Sequence, residues 1–164
     1  MRGTTSAKSF ARWAHSISAR TGITRKIGVN IIVDTSVWSL VLRRNTVDEN
    51  QPHLRAFRAC IDAGHGLFLL GPILQELLDG LRSPQQVTRL LSVLKPFPLA
   101  TIGRDTYVLA ARMRNDCRRK GIQAGATDFL IAAACVELGY PLLTADNDFQ
   151  RIACATELVL VPDV

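Results

Sequence analysis

Val29-Asn30-Ile31-Ile32-Val33-Asp34-Thr35-Ser36-Val37-Trp38 is the stretch on which the reading of the fold turns. Four of its first five residues are β-branched, the run ends at an acid, and helical spacing sets in from Ser36 to about Arg43. A short apolar strand that delivers a carboxylate into a helix belongs to an open parallel sheet, whose ligands bind at the carboxyl ends of the strands. The same alternation continues outward. A helix carries Leu54, Phe57 and Ile61 on one face and ends before Gly64, and Leu67–Leu70 is a second strand. Gly71-Pro72 opens a helix, with proline at its tolerated first position, and Pro84 opens another that stops before Pro96. Leu99–Ile102 is a third strand, and Arg104–Lys120 a basic-faced helix stopped by Gly121. Asp128 begins an apolar helix closed by Gly139, and Leu142–Thr144 and Leu158–Val161 bring the count to five strands. The pattern predicts an α/β fold in which a mostly parallel five-stranded sheet is covered on both faces by helices.

The composition bounds the function. A chain of 164 residues, 48% hydrophobic and 21% charged, is one globular domain. The net charge of +6 is unevenly spread: residues 1–28 hold six bases (Arg2, Lys8, Arg12, Arg20, Arg25, Lys26) and no acid. Of 20 bases, removing these six leaves 14 against 14 acids, so the body, residues 29–164, is neutral and its overall charge makes no argument for a polyanionic partner. Residues 1–28 read as a basic flexible extension or as an over-extended start, with translation beginning near Val29; their acid-free, Ser- and Arg-rich composition also resembles a transit peptide. The longest apolar run, Phe129 to Val136, is far short of the roughly 18 residues that span a bilayer, so no membrane role is expected. The four cysteines (Cys60, Cys117, Cys135, Cys154) form no CxxC pair and have no histidine at ligand spacing, which argues against zinc. Buried reduced thiols, and with them a cytoplasmic location, are the expectation.

Three acids fall where the parallel sheet would open its crevice. Asp34 follows the first strand directly, Asp146 lies two residues beyond Leu142-Leu143-Thr144, and Asp128 starts the helix that leads into that strand. Glu76 stands one turn into the helix after the second strand, among Ile73, Leu74, Leu77 and Leu78. Each has a plainer reading. Asp34 and Asp128 could cap their helices, Asp146 could make an Asx turn with Asn147 and Asp148, and Glu76 could point outward from a surface helix. Convergence favours a common role, because carboxylates aimed at one crevice repel each other unless a divalent cation neutralises them. An all-oxygen set suits Mg2+ or Mn2+.

In four successive motifs the chain resembles the PIN-domain ribonucleases, and specifically the VapC-type toxins of toxin–antitoxin pairs. The motifs are Val33-Asp34-Thr35-Ser36-Val37-Trp38, Leu74-Gln75-Glu76-Leu77-Leu78-Asp79-Gly80, Thr127-Asp128-Phe129-Leu130-Ile131-Ala132-Ala133 and Leu143-Thr144-Ala145-Asp146-Asn147-Asp148-Phe149. The resemblance spans about Val29–Val161 and implies a PIN-like, Rossmann-like three-layer sandwich. It makes Asp34, Glu76, Asp128 and Asp146 a catalytic quartet, with Asp34, Asp128 and Asp146 holding Mg2+ or Mn2+, and Asp148 an accessory acid. Ser36 and Thr144 would be the accompanying hydroxyls, on carboxylates or a metal-bound water. Gly125-Ala126-Thr127 suggests no side chain that would help the third acid, and the basic extension has no counterpart in the family core.

What the resemblance implies is metal-dependent endonucleolytic cleavage of RNA (a tRNA, a ribosomal RNA loop or a messenger RNA) by activated water, leaving a 5′-phosphate and a 3′-hydroxyl. It also implies a homodimer, and a cognate antitoxin seated in a hydrophobic groove to which Trp38, Leu42, Phe57 and Leu78 could contribute if they are not plain core. Cations for the RNA backbone would come from Arg112, Arg114, Arg118, Arg119 and Lys120, with Arg43 and Arg44 a second group; a solvated helix face is the plainer reading of the first. Two readings compete with the toxin: a catalytically silent PIN-fold RNA-binding or interaction module, and a housekeeping RNA-processing nuclease. A receiver domain would need an acceptor Asp ending the third strand, and a haloacid-type phosphatase a second acid where Ser36 stands; neither is present.

Overall fold

Parallel pairing of the first strand on both its sides organises the molecule. The computed structural model describes residues 28–42 and 51–162; the expected extension at residues 1–28 falls outside that range except for Gly28, and Arg43 and Arg44 fall outside it as well. In chain order the elements are β1 (Asn30–Val33), α1 (Thr35–Leu42), α2 (Pro52–Asp62), β2 (Gly66–Leu70), α3 (Gly71–Asp79) and α4 (Pro84–Leu94). They continue with β3 (Leu99–Ala100), α5 (Arg104–Arg119), α6 (Ala126–Leu138), β4 (Leu142–Leu143) and α7 (Asn147–Ala153). The sheet order is β3-β2-β1-β4. Ile31 lies opposite Leu67, Leu69 opposite Leu99, and Val33 opposite Leu143, all in parallel register. The chain steps outward from β1 to β2 to β3 and then returns to the far side of β1 as β4, so the strand order reverses between β1 and β4. At such a reversal the flanking connections leave in opposite directions and a crevice opens.

Among the described residues four strands, not five, make the sheet. The expected fifth, Leu158–Val161, reaches β4 through one bridge, Leu142 to Leu160, with Leu142 N–H bound to the Val159 carbonyl and Val161 N–H to the Leu142 carbonyl, both at 2.9 Å. β4 has only two residues, so its outer edge supports no longer ladder. The third strand is likewise two residues instead of four.

Local chemistry sets the helix limits. Ser83 and Gln86 form a reciprocal capping box ahead of Pro84, with Gln86 N–H to Ser83 Oγ at 3.3 Å and Ser83 N–H to Gln86 Oε1 at 3.2 Å. Gly139, at φ +66°, closes α6 as expected, in a left-handed conformation that costs glycine nothing. α6 starts earlier than expected: Gly125 is its N-cap, which puts Asp128 at the third helical position. Ile131, Ala132, Ala133, Ala134 and Cys135 are all buried, as suits a helix apolar all round. α5 lays Thr106, Ala110, Met113 and Cys117 inward against α6, and Thr106 Oγ1 donates to Glu137 near the far end of α6. The two helices therefore run antiparallel. Cys60, Cys117 and Cys135 are buried thiols as expected, while Cys154 is exposed.

Trp38 is the largest fully buried side chain among the described residues. Its ring meets Phe57 edge-on at 5.4 Å and Phe97 at 4.8 Å, and its Nε1 has no hydrogen-bond partner among the described residues. Trp38 and Phe57 are thus core, not groove lining, whereas Leu42 and Leu78 are half-buried. Trp38→Ala is expected to cost about 3–5 kcal/mol, read from urea unfolding followed by circular dichroism. Trp38→Phe is expected to cost less, because it also removes the unpartnered indole N–H.

Candidate active site

Asp34 is the first residue past β1 and only 5% exposed. Its backbone ties strand to helix: the N–H donates to the Leu143 carbonyl at 2.9 Å, and its carbonyl accepts the Val37 and Trp38 N–H groups at 3.1 and 3.0 Å. Three donors meet on side-chain Oδ2: Ser36 Oγ at 2.5 Å, Thr144 Oγ1 at 3.0 Å and Ser36 N–H at 3.2 Å. Each hydroxyl is oriented from behind by an amide of the β4 exit, Ala145 N–H to Ser36 Oγ at 2.9 Å and Asp146 N–H to Thr144 Oγ1 at 3.0 Å. The two hydroxyl oxygens lie 3.3 Å apart, but each has one proton and Asp34 takes both, so that approach adds no further bond. Oδ1 has no donor among the described residues.

Asp128 turns back on its own helix start. Its Oδ2 accepts the Gly125 N–H at 2.7 Å, and a Cβ built on Gly125 would stand 2.9 Å from that same oxygen. Gly125 has an ordinary extended conformation, φ −64°, so it is the close approach and not the backbone that asks for glycine here. Burial pushes the Asp128 carboxyl above the usual range, the charges of Asp146, Asp148 and Asp34 add to the rise, and the Gly125 N–H opposes it. Four aspartates therefore share one electrostatic neighbourhood.

Asp146 is the N-cap of α7, its Oδ1 accepting the Asp148 N–H at 2.9 Å, so the turn-forming reading is realised at an exposed carboxylate beside the crevice. Asp148, half-buried, is paired with Arg151. Glu76 is exposed on α3, and Thr35 Oγ1 donates to its Oε2 at 2.8 Å. Thr35 is the residue that sequence reasoning missed: it stands in the first motif, next to Asp34, and the only signal was a hydroxyl at the mouth of the crevice. Through it Glu76 is joined to α1, although Glu76 is not among the charges that act on Asp128.

The expected metal set of Asp34, Asp128 and Asp146 is brought into mutual electrostatic range but not to ligand spacing: among the described residues no three His, Cys, Asp or Glu side chains are grouped to hold an ion. In donor chemistry the site still fits a hard cation. Its acids present carboxylate oxygens, one of them the undonated Oδ1 of Asp34, and the nearby thiol of Cys135 is pushed far up by burial and by the Asp34 charge, which keeps it protonated. Of the expected nucleic-acid contacts, Arg112 and Arg119 are exposed on α5, and Arg119 is paired with Asp116.

Two outcomes follow for the third acid. Because its carboxyl titrates higher folded than unfolded, the native state takes up the proton first, so stability falls as pH rises through the raised value. Asp128→Asn is expected to flatten that fall and to raise stability at neutral pH, measured by urea unfolding across acid to neutral pH. Gly125→Ala is expected to displace the Asp128 carboxylate with little effect on the helix, visible as a changed Asp128 titration in carbon-detected NMR.

Comparison with known proteins agrees with this architecture. The PIN domain family pattern matches residues 31–154. The fold is similar to that of VapBC2 from Rickettsia felis, solved bound to a DNA fragment from its promoter, at a TM-score of 0.63 and 16% identity, over 80% of this chain and 96% of that one. FitAcB from Neisseria gonorrhoeae gives 0.61 and 20%, and VapBC-1 from nontypeable Haemophilus influenzae 0.64 and 17%, each again over 80% of this chain and 96% of the other. No curated protein matches at the sequence level. With the family pattern covering both strand-end acids of the crevice and the helix between them, this chain belongs to the PIN domain family.

Proposed function

We propose that the protein is a Mg2+- or Mn2+-dependent endoribonuclease and the toxin of a type II toxin–antitoxin pair. PIN domains are generally nucleases, and the observation that carries the reading is the placement of Asp34, Asp128, Asp146 and Asp148 about one crevice, where burial first and the charges of the other three second raise Asp128. Such repulsion is costly and is relieved by a divalent cation. The toxin role is supported by fold neighbours that are VapBC and FitAB complexes. It brings with it a cognate antitoxin and a homodimer as partners, RNA as substrate and a cytoplasmic location.

In this reading Asp34, Asp128 and Asp146 would hold the cation, and a bound cation would supply a lowered water pKa and a polarised scissile phosphate. Ser36 and Thr144 fix Asp34 by occupying Oδ2, so that Oδ1 is the atom left to bind. Asp128 keeps Oδ2 on the Gly125 amide and offers Oδ1. Glu76, held at Oε2 by Thr35, receives a water proton on Oε1 at the rim. Water oxygen bonds to phosphorus while the bond from phosphorus to the 3′-oxygen breaks, and that oxygen takes a proton from solvent water, giving a 5′-phosphate and a 3′-hydroxyl. Asp148, partnered by Arg151, adds negative potential without being a ligand.

The test is cleavage of a pool of end-labelled structured RNAs with Mg2+ or Mn2+. Metal-dependent cuts are expected that disappear with EDTA and fall by about 100-fold or more in Asp34→Asn and Asp146→Asn. Ser36→Ala and Thr144→Val, which act through Asp34, are expected to lose about 10–100-fold in Mn2+ affinity. A folded protein that binds RNA and leaves it intact, or variants that cut as well as the parent, would move the silent binding module into first place.

A further inference from the structure

We propose that one flank of α5, formed by Arg104, Tyr107, Ala111, Arg114 and Arg118, is the track on which a single-stranded RNA lies as it approaches the acidic crevice. The proposal rests on the nuclease reading and names the surface which that reading lacks. An acidic crevice repels phosphate, and the chain body is neutral overall, so affinity for a polyanion must come from a local separation of charge.

α5 carries such a separation. Its inward stripe of Thr106, Ala110, Met113 and Cys117 fixes the rotation of the helix. At 100° per residue the outward surface divides into two flanks. One holds Arg104, Tyr107, Ala111, Arg114 and Arg118, spaced i, i+3, i+7, i+10 and i+14, with no acid among them. The other holds Asp105, Arg112, Asp116 and Arg119 and so contains both acids of the helix. Arg119 is engaged by Asp116, and the Lys120 ammonium donates to the Ala155 carbonyl at 3.1 Å. Arg104, Arg114 and Arg118 have no ion pair among the described residues.

Tyr107 adds the second half of a single-strand site. It is 55% exposed, and an exposed ring between cations is a platform on which an unpaired base stacks. The flank runs about 21 Å, from the fourteen steps of about 1.5 Å between Arg104 and Arg118. Its Arg118 end leads to the crevice, because α5 and α6 are antiparallel and the 120–125 connection joins the end of α5 to the start of α6, where Asp128 sits.

Binding is tested apart from turnover, in the full chain carrying Asp34→Asn, by fluorescence anisotropy with fluorescein-labelled oligouridylate over a range of salt. Two charge-matched pairs are compared. Arg114→Gln with Arg118→Gln is expected to weaken binding about 10–30-fold at 0.1 M salt and to flatten the log–log salt slope by about 1.4, the loss of two phosphate contacts on a single strand. Arg112→Gln with Arg119→Gln is expected to weaken it less than about 3-fold. Tyr107→Ala is expected to weaken binding with the slope unchanged, and Tyr107→Phe to restore it. Equal losses from the two pairs would mean that only net charge matters, and a changed sedimentation mass in the first pair would assign the flank to a contact between protein chains; either overturns the track. Cleavage and binding fail separately: RNA left uncut by the parent chain while the first pair still loses binding removes the nuclease and keeps the track, whereas normal cleavage with unchanged binding removes the track alone.

Discussion

The Asp34 carboxylate, received by Ser36 and Thr144, is the interaction on which the rest of the molecule depends. It is the place where β1 and β4 are joined beyond their ladder: the hydroxyl of Ser36 comes from the helix after β1, that of Thr144 from the residue after β4, and both protons end on Oδ2. Behind them the amides of Ala145 and Asp146 supply the hydroxyl oxygens in turn. A strand of two residues such as β4 has little sheet bonding of its own, so this side-chain network carries much of the register between the two strand ends. It also leaves the two carboxylate oxygens unlike: Oδ2 takes all three donors and Oδ1 takes none among the described residues.

The same division recurs around the crevice. Asp128 uses an oxygen to satisfy the N-terminal amide of α6, Asp146 to cap α7, and Glu76 to accept from Thr35. Each acid does the local work that its residue type commonly does, and each retains a second oxygen. The capping and catalytic readings, alternatives when a residue is considered alone, are compatible because a carboxylate has two oxygens and several lone pairs. Burial, with the neighbouring charges adding to it, raises Asp128 even after these local bonds have been made.

Most of the architecture was legible in the chain. Short apolar runs broken by Gly and Pro, the buried helix after Asp128 and the glycine stop at Gly139 follow from periodicity and turn chemistry, which act over a few residues. The fifth strand was misjudged because Leu158–Val161 has the composition of a strand, whereas strand length is decided by the partner, and β4 offers only two residues. The start of α6 was misplaced for a related reason: glycine at an N-cap leaves no side-chain signal, and Asp128 looked like a cap when it is the third residue bonding back to one.

The positions of the four acids, their order along the chain and their accompanying hydroxyls were determined by the sequence alone, since strand-end and helix-start residues are marked by local pattern. Tertiary structure decided what those residues touch. That Thr35 holds Glu76 from 41 residues away, and that Thr144 reaches Asp34 from the strand on the far side of β1, depends on packing of elements that no window of sequence contains. The rotation of α5, which separates a flank without acids from one that holds them, is likewise set by its buried contacts with α6. Distances between elements are the outcome of how a whole core fills space, and that sum over many side chains is what a linear reading lacks.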